Sequence, residues 1–421
     1  MKVLYITPYT PDPVRVRPYN LVRYMARRGH QVTLATLWSS AADRCQLAEL
    51  EAAGIHVIGA PLARWRSLWN CARTLPRPTP LQSVFCWEPA LFQMARAEIQ
   101  KSQFDIVHVE HLRGARYGTH LRREFATEGA PAGQMRIVWD SVDCISYLFE
   151  QAIRESKSLF GRFVTQVELP RTRWYEAWLV SQFNRVLMTS DLDKRAFDDL
   201  LQEFAPHSDG HLNGAEKLSV LRNGVDLQYF APVAIRRAPQ TLVFSGKMSY
   251  HANVTAALYL IDEVMPLVWA KFPNAVVEIV GKDPPQQIRH LAVRNPSRVV
   301  VSGTVQDMRP HLAQAALSVA PITYGAGIQN KVLEAMAMGT PVVATSKAVA
   351  ALSVENEEHL LVGNDPESLS QQIVRLLRNP ALGERLGANG RRYVELNHDW
   401  NLIVDQLLSM YQEVVTSARM V

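Results

Sequence analysis

Four cysteines in 421 residues, Cys45, Cys71, Cys86 and Cys144, with no C-x-x-C spacing, leave no basis for a zinc ribbon or a disulfide framework. A reducing cytoplasm fits that usage. No uninterrupted apolar run reaches the roughly eighteen residues of a spanning helix. The opening KVLYIT, from Lys2, reads as a strand where a secretory leader would need a charged and then an apolar region. The expected location is therefore cytoplasmic, with the inner face of the cytoplasmic membrane as an allowed site. Neither the turn near residue 8 nor that near residue 246 spells G-x-G-x-x-G, which disfavours a dinucleotide oxidoreductase. Helix-turn-helix, zinc-finger and RNP patterns are also missing, so no nucleic-acid partner is expected.

What is present is an ordinary soluble composition, 48% hydrophobic and 20% charged, over a length that calls for two or three domains. The charge is uneven. Residues 1–123 carry 17 Lys/Arg against 8 Asp/Glu, whereas residues 222–421 carry 18 against 17. A basic first half suits an anionic surface or acceptor, such as anionic lipid headgroups or a lipid diphosphate, or is simply a solvated face.

In chain order, Lys2–Thr7 reads as a buried strand, Pro8–Asn20 as a loop, Tyr19–Arg28 as a helix ended by Gly29, and Gln31–Thr36 as the next strand. This βαβ opening predicts a doubly wound α/β sheet, and ligands of such sheets sit at the carboxyl ends of strands. The loop residues Arg15 and Arg17 are candidates to hold a phosphate of donor or acceptor, or belong to the basic face. Further strands are expected at Phe104–Val109, Arg136–Trp139 and Val186–Thr189. Their ends carry His108, Glu110 and His111, then Asp140 and Asp143, then Asp191 and Asp193. The Asp191-Leu192-Asp193 pair reads as helix-start carboxylates, and no metal is expected. Leu62–Arg73 interleaves Trp65 and Trp69 with Arg64, Arg66 and Arg73, and Leu159–Phe183 places Phe160, Phe163, Trp174 and Trp178 among Arg162, Arg171 and Arg173. Both suit a membrane interface, though ordinary helices packed on the sheet are the expectation.

The βαβ pattern restarts at Thr241–Ser245, after turn chemistry at Asn223-Gly224, with a helix expected from about Ala252 to Phe272 and a loop at Ser346–Leu352. The expected division is 1–221, a linker at 222–240, a second domain at 241–399, and a last helix from Trp400 crossing back towards the first. Within the second half, PITYGAGIQNKVLEAMAMGTPVVAT from Pro321 to Thr345 reads as a glycine turn, a short helix and a buried strand. Gly325 and Gly327 let backbone N–H groups approach an anion, and the dipole of the following helix points the same way. Asn330 and Glu334 lie one turn apart on that helix, with Lys331 three residues from Glu334. A phosphate near the glycines and a diol near Glu334 would be the two ends of a nucleotide or nucleotide-sugar. Taken alone, the same pattern is also common α/β punctuation.

The run G-x-G-x-x-x-K-x-L-E-A-M-A-x-G-x-P-V-V, from Gly325 to Val343, resembles the donor-site signature of family 4 glycosyltransferases of the GT-B fold. The likeness extends from Lys2 to about Val415 and implies two Rossmann-like domains facing a central cleft. It also implies a retaining, metal-independent transferase moving a sugar from a nucleoside diphosphate, UDP or GDP, to a saccharide or lipid-linked saccharide acceptor. No cofactor beyond that donor is implied. By the same resemblance Gly246, Lys247 and Lys331 face the diphosphate, Gly325, Gly327, Ile328 and Asn330 form the donor loop, and Glu334 takes the ribose. On the acceptor side it points to His108, Glu110 and Asp143, with His111 and Asp140 as catalytic candidates, although Glu110 and Asp140 stand where the family's pattern has histidines, and the acceptor-side Arg15 and Arg17 stand where many relatives have glycines. The chain departs from the usual form at Ala252, where a second basic residue is common, and at Ala326, where a first glutamate normally contacts the sugar. The G-x-G-x-x-x-K variant resembles a branch of bacterial exopolysaccharide-assembly enzymes. A non-catalytic nucleotide-sugar binder and a nucleotide-sugar epimerase remain the alternatives.

Overall fold

The computed structural model describes residues 1–13, 15–127, 135–155, 159–204, 214–324 and 327–417. Two compact units emerge, one of Met1–Arg222 with Trp400–Val421, the other of Asn223–Asp399. Each is built on a parallel sheet.

In the first unit, β1 (Lys2–Thr7), β2 (Gln31–Trp38), β3 (His56–Pro61), β4 (Ile106–Glu110), β5 (Ile137–Val142), β6 (Arg185–Met188) and β7 (Leu218–Val220) pair in the order β3-β2-β1-β4-β5-β6-β7. Side chains alternate along each strand, so Leu4, Ile6, Val107 and Trp139 enter one core while Val3, Tyr5, Ile106 and Val138 enter another on the opposite face. Burial on both faces explains why these strands read as continuous apolar runs. The C-terminal helix Trp400–Ser417 covers the second face with Trp400, Ile403, Val404, Leu407 and Tyr411, all buried.

The second unit orders β8 (Ala238–Ser245), β9 (Val276–Val280), β10 (Val299–Gly303), β11 (Ala315–Ala320), β12 (Val342–Ala344) and β13 (Leu361–Val362) as β10-β9-β8-β11-β12-β13, all parallel. The turns after β8 and β9 touch. A Cβ on Gly281 would lie 1.6 Å from the Gly246 carbonyl oxygen, and the two glycines have φ of 156° and 146°. Only glycine permits that approach.

Several expected boundaries move for physical reasons. The Pro8–Asn20 loop ends early, because the helix begins at Val16 and runs to Arg27, with Pro18 tolerated in the first turn. The long helix expected from Ala252 to Phe272 is interrupted. It runs His251–Tyr259, widens into a π turn over Leu260–Val264 and resumes at Met265–Trp269. Pro266 has no N–H to give the Asp262 carbonyl, and the widened turn precedes it. Within the expected loop Ser346–Leu352, Ser346–Val349 forms a short helix, with the Thr345 side chain accepting from the Ala348 N–H. Among the described residues no helix is long and apolar enough to cross a membrane.

Candidate functional site

The second unit's candidate site starts at the carboxyl end of β8. Gly246 leaves the strand, and a Cβ there would meet Asn253 Nδ2 at 2.9 Å and Lys331 Cε at 3.3 Å. Asn253, at the start of the helix His251–Tyr259, donates from Nδ2 to the Lys247 carbonyl at 2.9 Å and accepts the Lys331 ammonium on Oδ1. Lys331 Nζ also lies 5.1 Å from the centre of the Phe244 ring. One buried asparagine thus ties the glycine turn to the helix Asn330–Ala337 that follows β11.

Burial pulls the Lys331 ammonium down to about 7, although Glu334 opposes the shift. Burial likewise pushes Glu334 up to about 7, with Lys331 acting the other way. Lys331 is buried, Glu334 half-buried and Lys247 exposed. Among the described residues, Ser245 Oγ and Asn330 Oδ1 are buried with no hydrogen-bond partner. A buried polar atom left so costs free energy unless a ligand satisfies it. Gly327 has φ of 81°, the left-handed backbone that favours glycine, and Ile328 is buried beside it. Gly325 and Ala326, with the question of the missing first glutamate, lie outside the described residues.

The first unit gathers a second polar cluster at the carboxyl ends of its strands. Glu110 is buried at the end of β4, where Tyr5 and Tyr9 donate hydroxyl protons to its two oxygens at 2.8 and 2.7 Å. Burial, then the charge of Asp140, pushes its carboxyl up to about 7 against the two tyrosines. His108 stacks on Tyr5 with ring centres 4.2 Å apart, meets the Tyr411 hydroxyl through Nδ1 at 2.7 Å and places Nε2 3.5 Å from Asp140 Oδ2. His111 has φ of 64° and accepts the Arg113 N–H on Nδ1 at 3.2 Å, so its neutral ring carries the proton on Nε2. Burial, then Arg113, takes that imidazole down to about 3. Val142, just past Asp140, has φ of 69° where β5 slips register against β6. Two strained non-glycine residues at neighbouring strand ends mark a backbone held by its surroundings.

Two candidates change character. Arg17 is a core residue of the first helix rather than a loop arginine open to phosphate. It is 3% exposed, donates from Nε to Asp140 Oδ2 at 2.7 Å and from Nη1 to the Leu221 carbonyl at 2.9 Å. Asp140, in turn, is fully buried, also accepts the Val142 N–H at 3.2 Å, and is held below the usual carboxylate range by Arg17 and His108 against the penalty of burial. The pair organises strand ends. Arg15 stays at the surface, stacked 4.8 Å from the Tyr9 ring centre, and donates to the Thr10 carbonyl. Asp143 is pushed up to about 7 by burial and by Asp193. Asp191 and Asp193 point apart, Asp191 to Arg222 at 2.9 Å and Asp193 to the Cys144 N–H at 2.9 Å.

Sequence reasoning passed over Tyr5, Tyr9, Tyr411 and Asn253. Tyr5 and Tyr411 sit in apolar strand and helix patterns that give no sign of a polar tip in use. Asn253 had a signal, standing next to Ala252 where a charge was missed.

The two doubly wound sheets belong to the GT-B fold class, and residues 239–379 match the family model described as glycosyl transferases group 1. The second domain therefore resembles glycosyl transferases group 1 over those residues. Among curated proteins it is 30% identical over 207 residues to a phosphatidyl-myo-inositol mannosyltransferase of Mycobacterium tuberculosis, covering 46% of this chain and 54% of that protein. It is 32% identical over 160 residues to the GDP-mannose-dependent monoacylated alpha-(1-6)-phosphatidylinositol monomannoside mannosyltransferase of Corynebacterium glutamicum, covering 36% and 42%. The chain thus spans about half the length of the first curated relatives it matches. Among solved structures, sucrose-phosphate synthase from Thermosynechococcus elongatus superposes with TM-score 0.70 at 17% identity over 99% of both chains. Anabaena HepE in complex with UDP and glucose gives 0.66 at 16% over 98% and 99%. At such identities these likenesses speak for the fold.

Proposed function

We propose that the protein is a retaining, metal-independent glycosyltransferase that moves a sugar from a nucleoside diphosphate, UDP or GDP, to a saccharide or lipid-linked saccharide in bacterial exopolysaccharide or cell-surface glycan synthesis. The observation that carries this reading is the Gly246–Asn253–Lys331 constellation, with Ser245 Oγ and Asn330 Oδ1 left buried beside it. Breaking the anomeric C–O bond puts charge on the leaving diphosphate, and a cation fixed in place before the reaction stabilises it without reorganisation. Lys331, held by Asn253, is that cation, and the exposed Lys247 supplies a second beside the glycine turn. The first turn of the helix Asn330–Ala337 adds its N–H groups and dipole. Glu334, one turn on, faces the ribose hydroxyls. The similarity to mannosyltransferases, one of them GDP-mannose-dependent, supports a nucleotide-sugar donor.

The test is release of UDP or GDP from a panel of nucleotide-sugars, with and without saccharide acceptors, in the presence of EDTA. Acceptor-dependent release with the α-anomeric configuration of the donor kept in the product is expected. Interconversion of the sugar without any acceptor would favour an epimerase, and binding without turnover a degenerate scaffold.

A further inference from the structure

Helices Arg64–Thr74 and Leu159–Gln182 of the first unit leave Trp65, Trp69, Phe163 and Trp174 exposed, while Tyr175 is buried. Helix Arg64–Thr74 turns Ser67 and Thr74 inward and ties itself down through Asn70 Nδ2, which donates to the Trp87 carbonyl at 2.8 Å. Its other face shows Trp65, Leu68 and Trp69 at 65, 68 and 54% exposure, with Leu75 just beyond the helix at 55%. Positions 65, 68, 69 and 72 lie on one helical face, and 75 continues it. In helix Leu159–Gln182 the exposed Phe163, Val167, Pro170 and Trp174 are spaced i, i+4, i+7 and i+11, again one stripe. Glu168 of that helix accepts the Leu81 N–H at 2.7 Å and Arg171 donates to the Leu75 carbonyl at 3.0 Å. Both stripes therefore border the same Leu75–Leu81 segment. Single exposed apolar residues are ordinary, but two adjoining stripes with three tryptophans mark an interaction surface.

The charge around this surface selects its partner. Between Glu51 and Glu88 there is no acidic residue, and Arg64, Arg66, Arg73 and Arg77 all fall in that interval. Among the described residues Arg64, Arg73 and Arg77 form no ion pair, while Arg66 and Arg73 lie 5.7 and 5.9 Å from the Trp65 and Trp69 ring centres. We infer that this face docks on an anionic lipid bilayer, with the indoles and leucines entering the headgroup boundary and the arginine heads meeting lipid phosphates. Tryptophan and arginine are suited to that depth because each combines an apolar body with a polar tip. A second copy of the chain is the poorer occupant, since it would bring the same unpaired arginines against these. The surface also lies on a telling edge. Helix Arg64–Thr74 leaves the sheet at the carboxyl end of β3, and the parallel strands put Tyr9, Glu110, His111 and Asp143 on that same edge. Arg113, two residues past His111, stacks 5.4 Å from the Phe85 ring centre, where the chain returns from this surface. A bilayer held here would present headgroups to the candidate acceptor residues, yet the docking stands on exposure and charge alone, whatever reaction the protein performs.

The test is flotation of the full chain with phosphatidylcholine vesicles, with and without phosphatidylglycerol, at low and high salt. The protein floats with the anionic vesicles at low salt and is released as salt rises. The Trp65→Ser/Trp69→Ser variant loses about tenfold or more in partitioning, and Arg64→Gln/Arg73→Gln loses the preference for anionic vesicles. Because all four side chains are exposed or half-buried, both variants keep the wild-type unfolding midpoint and nucleotide response. Equal flotation of wild type with neutral vesicles, or undiminished flotation of the tryptophan variant, overturns the inference. So does a dimer in sedimentation that the tryptophan variant dissociates. Loss of nucleotide response with intact vesicle binding would count against the transferase reading alone.

Discussion

Lys331→Met lowers kcat/KM for the nucleotide-sugar by about 10²–10³, the scale of removing one preorganised group from a developing negative charge. The same substitution does not destabilise the empty protein near pH 7. The folded state keeps Lys331 at about 7, below its ordinary 10.5, so the ammonium costs stability wherever the unfolded chain holds a proton that the folded chain resists. For this group alone stability rises between pH 7 and 10.5, and the methionine variant removes that slope. A diphosphate reverses the balance. Its charge restores the proton, so binding takes up protons near neutrality and donor affinity falls as pH rises above 7. Calorimetry in buffers of different ionisation enthalpy reads that uptake, which should vanish in Lys331→Met. A variant that loses activity together with stability would instead make Lys331 a structural residue.

Arg17→Met, by contrast, destabilises the fold by about 3–5 kcal/mol, because it leaves the Asp140 carboxylate buried without its cation. The Leu221 carbonyl loses its donor at the same stroke. Urea denaturation of the single variants and of Arg17→Met/Asp140→Leu forms the cycle, and the double variant should recover much of the loss. The pH sign is fixed by Asp140, whose folded value lies below its ordinary 3.8. Wild type therefore holds this contribution above about 4 and loses it as pH falls through the lowered value, whereas Arg17→Met gains relative stability as acid neutralises the orphaned carboxylate. A stable Arg17→Met that lacks only phosphate affinity would return Arg17 to a ligand-binding role.

Much of this architecture was legible. β1 was read at Lys2–Thr7, where the structure has it, because a strand buried on both faces leaves an unbroken apolar run. Gly327 and the helix at Asn330 were readable because glycine suits the left-handed backbone there and because Lys331 and Glu334 are rare on an otherwise apolar helix. What escaped was pairing over distance. Arg17 and Asp140 are 123 positions apart, and nothing local distinguishes a buried arginine from a loop arginine poised for phosphate. Asn253 and Lys331 are 78 apart, and their contact exists because Gly246 lets both approach. The tryptophan helices show the opposite failure. Helical spacing was right, yet spacing does not say whether an apolar face meets a sheet or meets solvent, and here Trp65, Trp69, Phe163 and Trp174 meet solvent.

Thermal unfolding of wild type and Glu334→Ala against UDP, GDP, ADP, CMP, NAD and NADP tests the donor site most directly. A ligand at a hundred times its dissociation constant stabilises by about 2.7 kcal/mol, a resolvable shift in midpoint. The expected result is a shift with UDP or GDP that Glu334→Ala loses. Stabilisation by NAD or NADP alone, or a nucleoside-diphosphate shift that survives Glu334→Ala undiminished, would contradict the site described here.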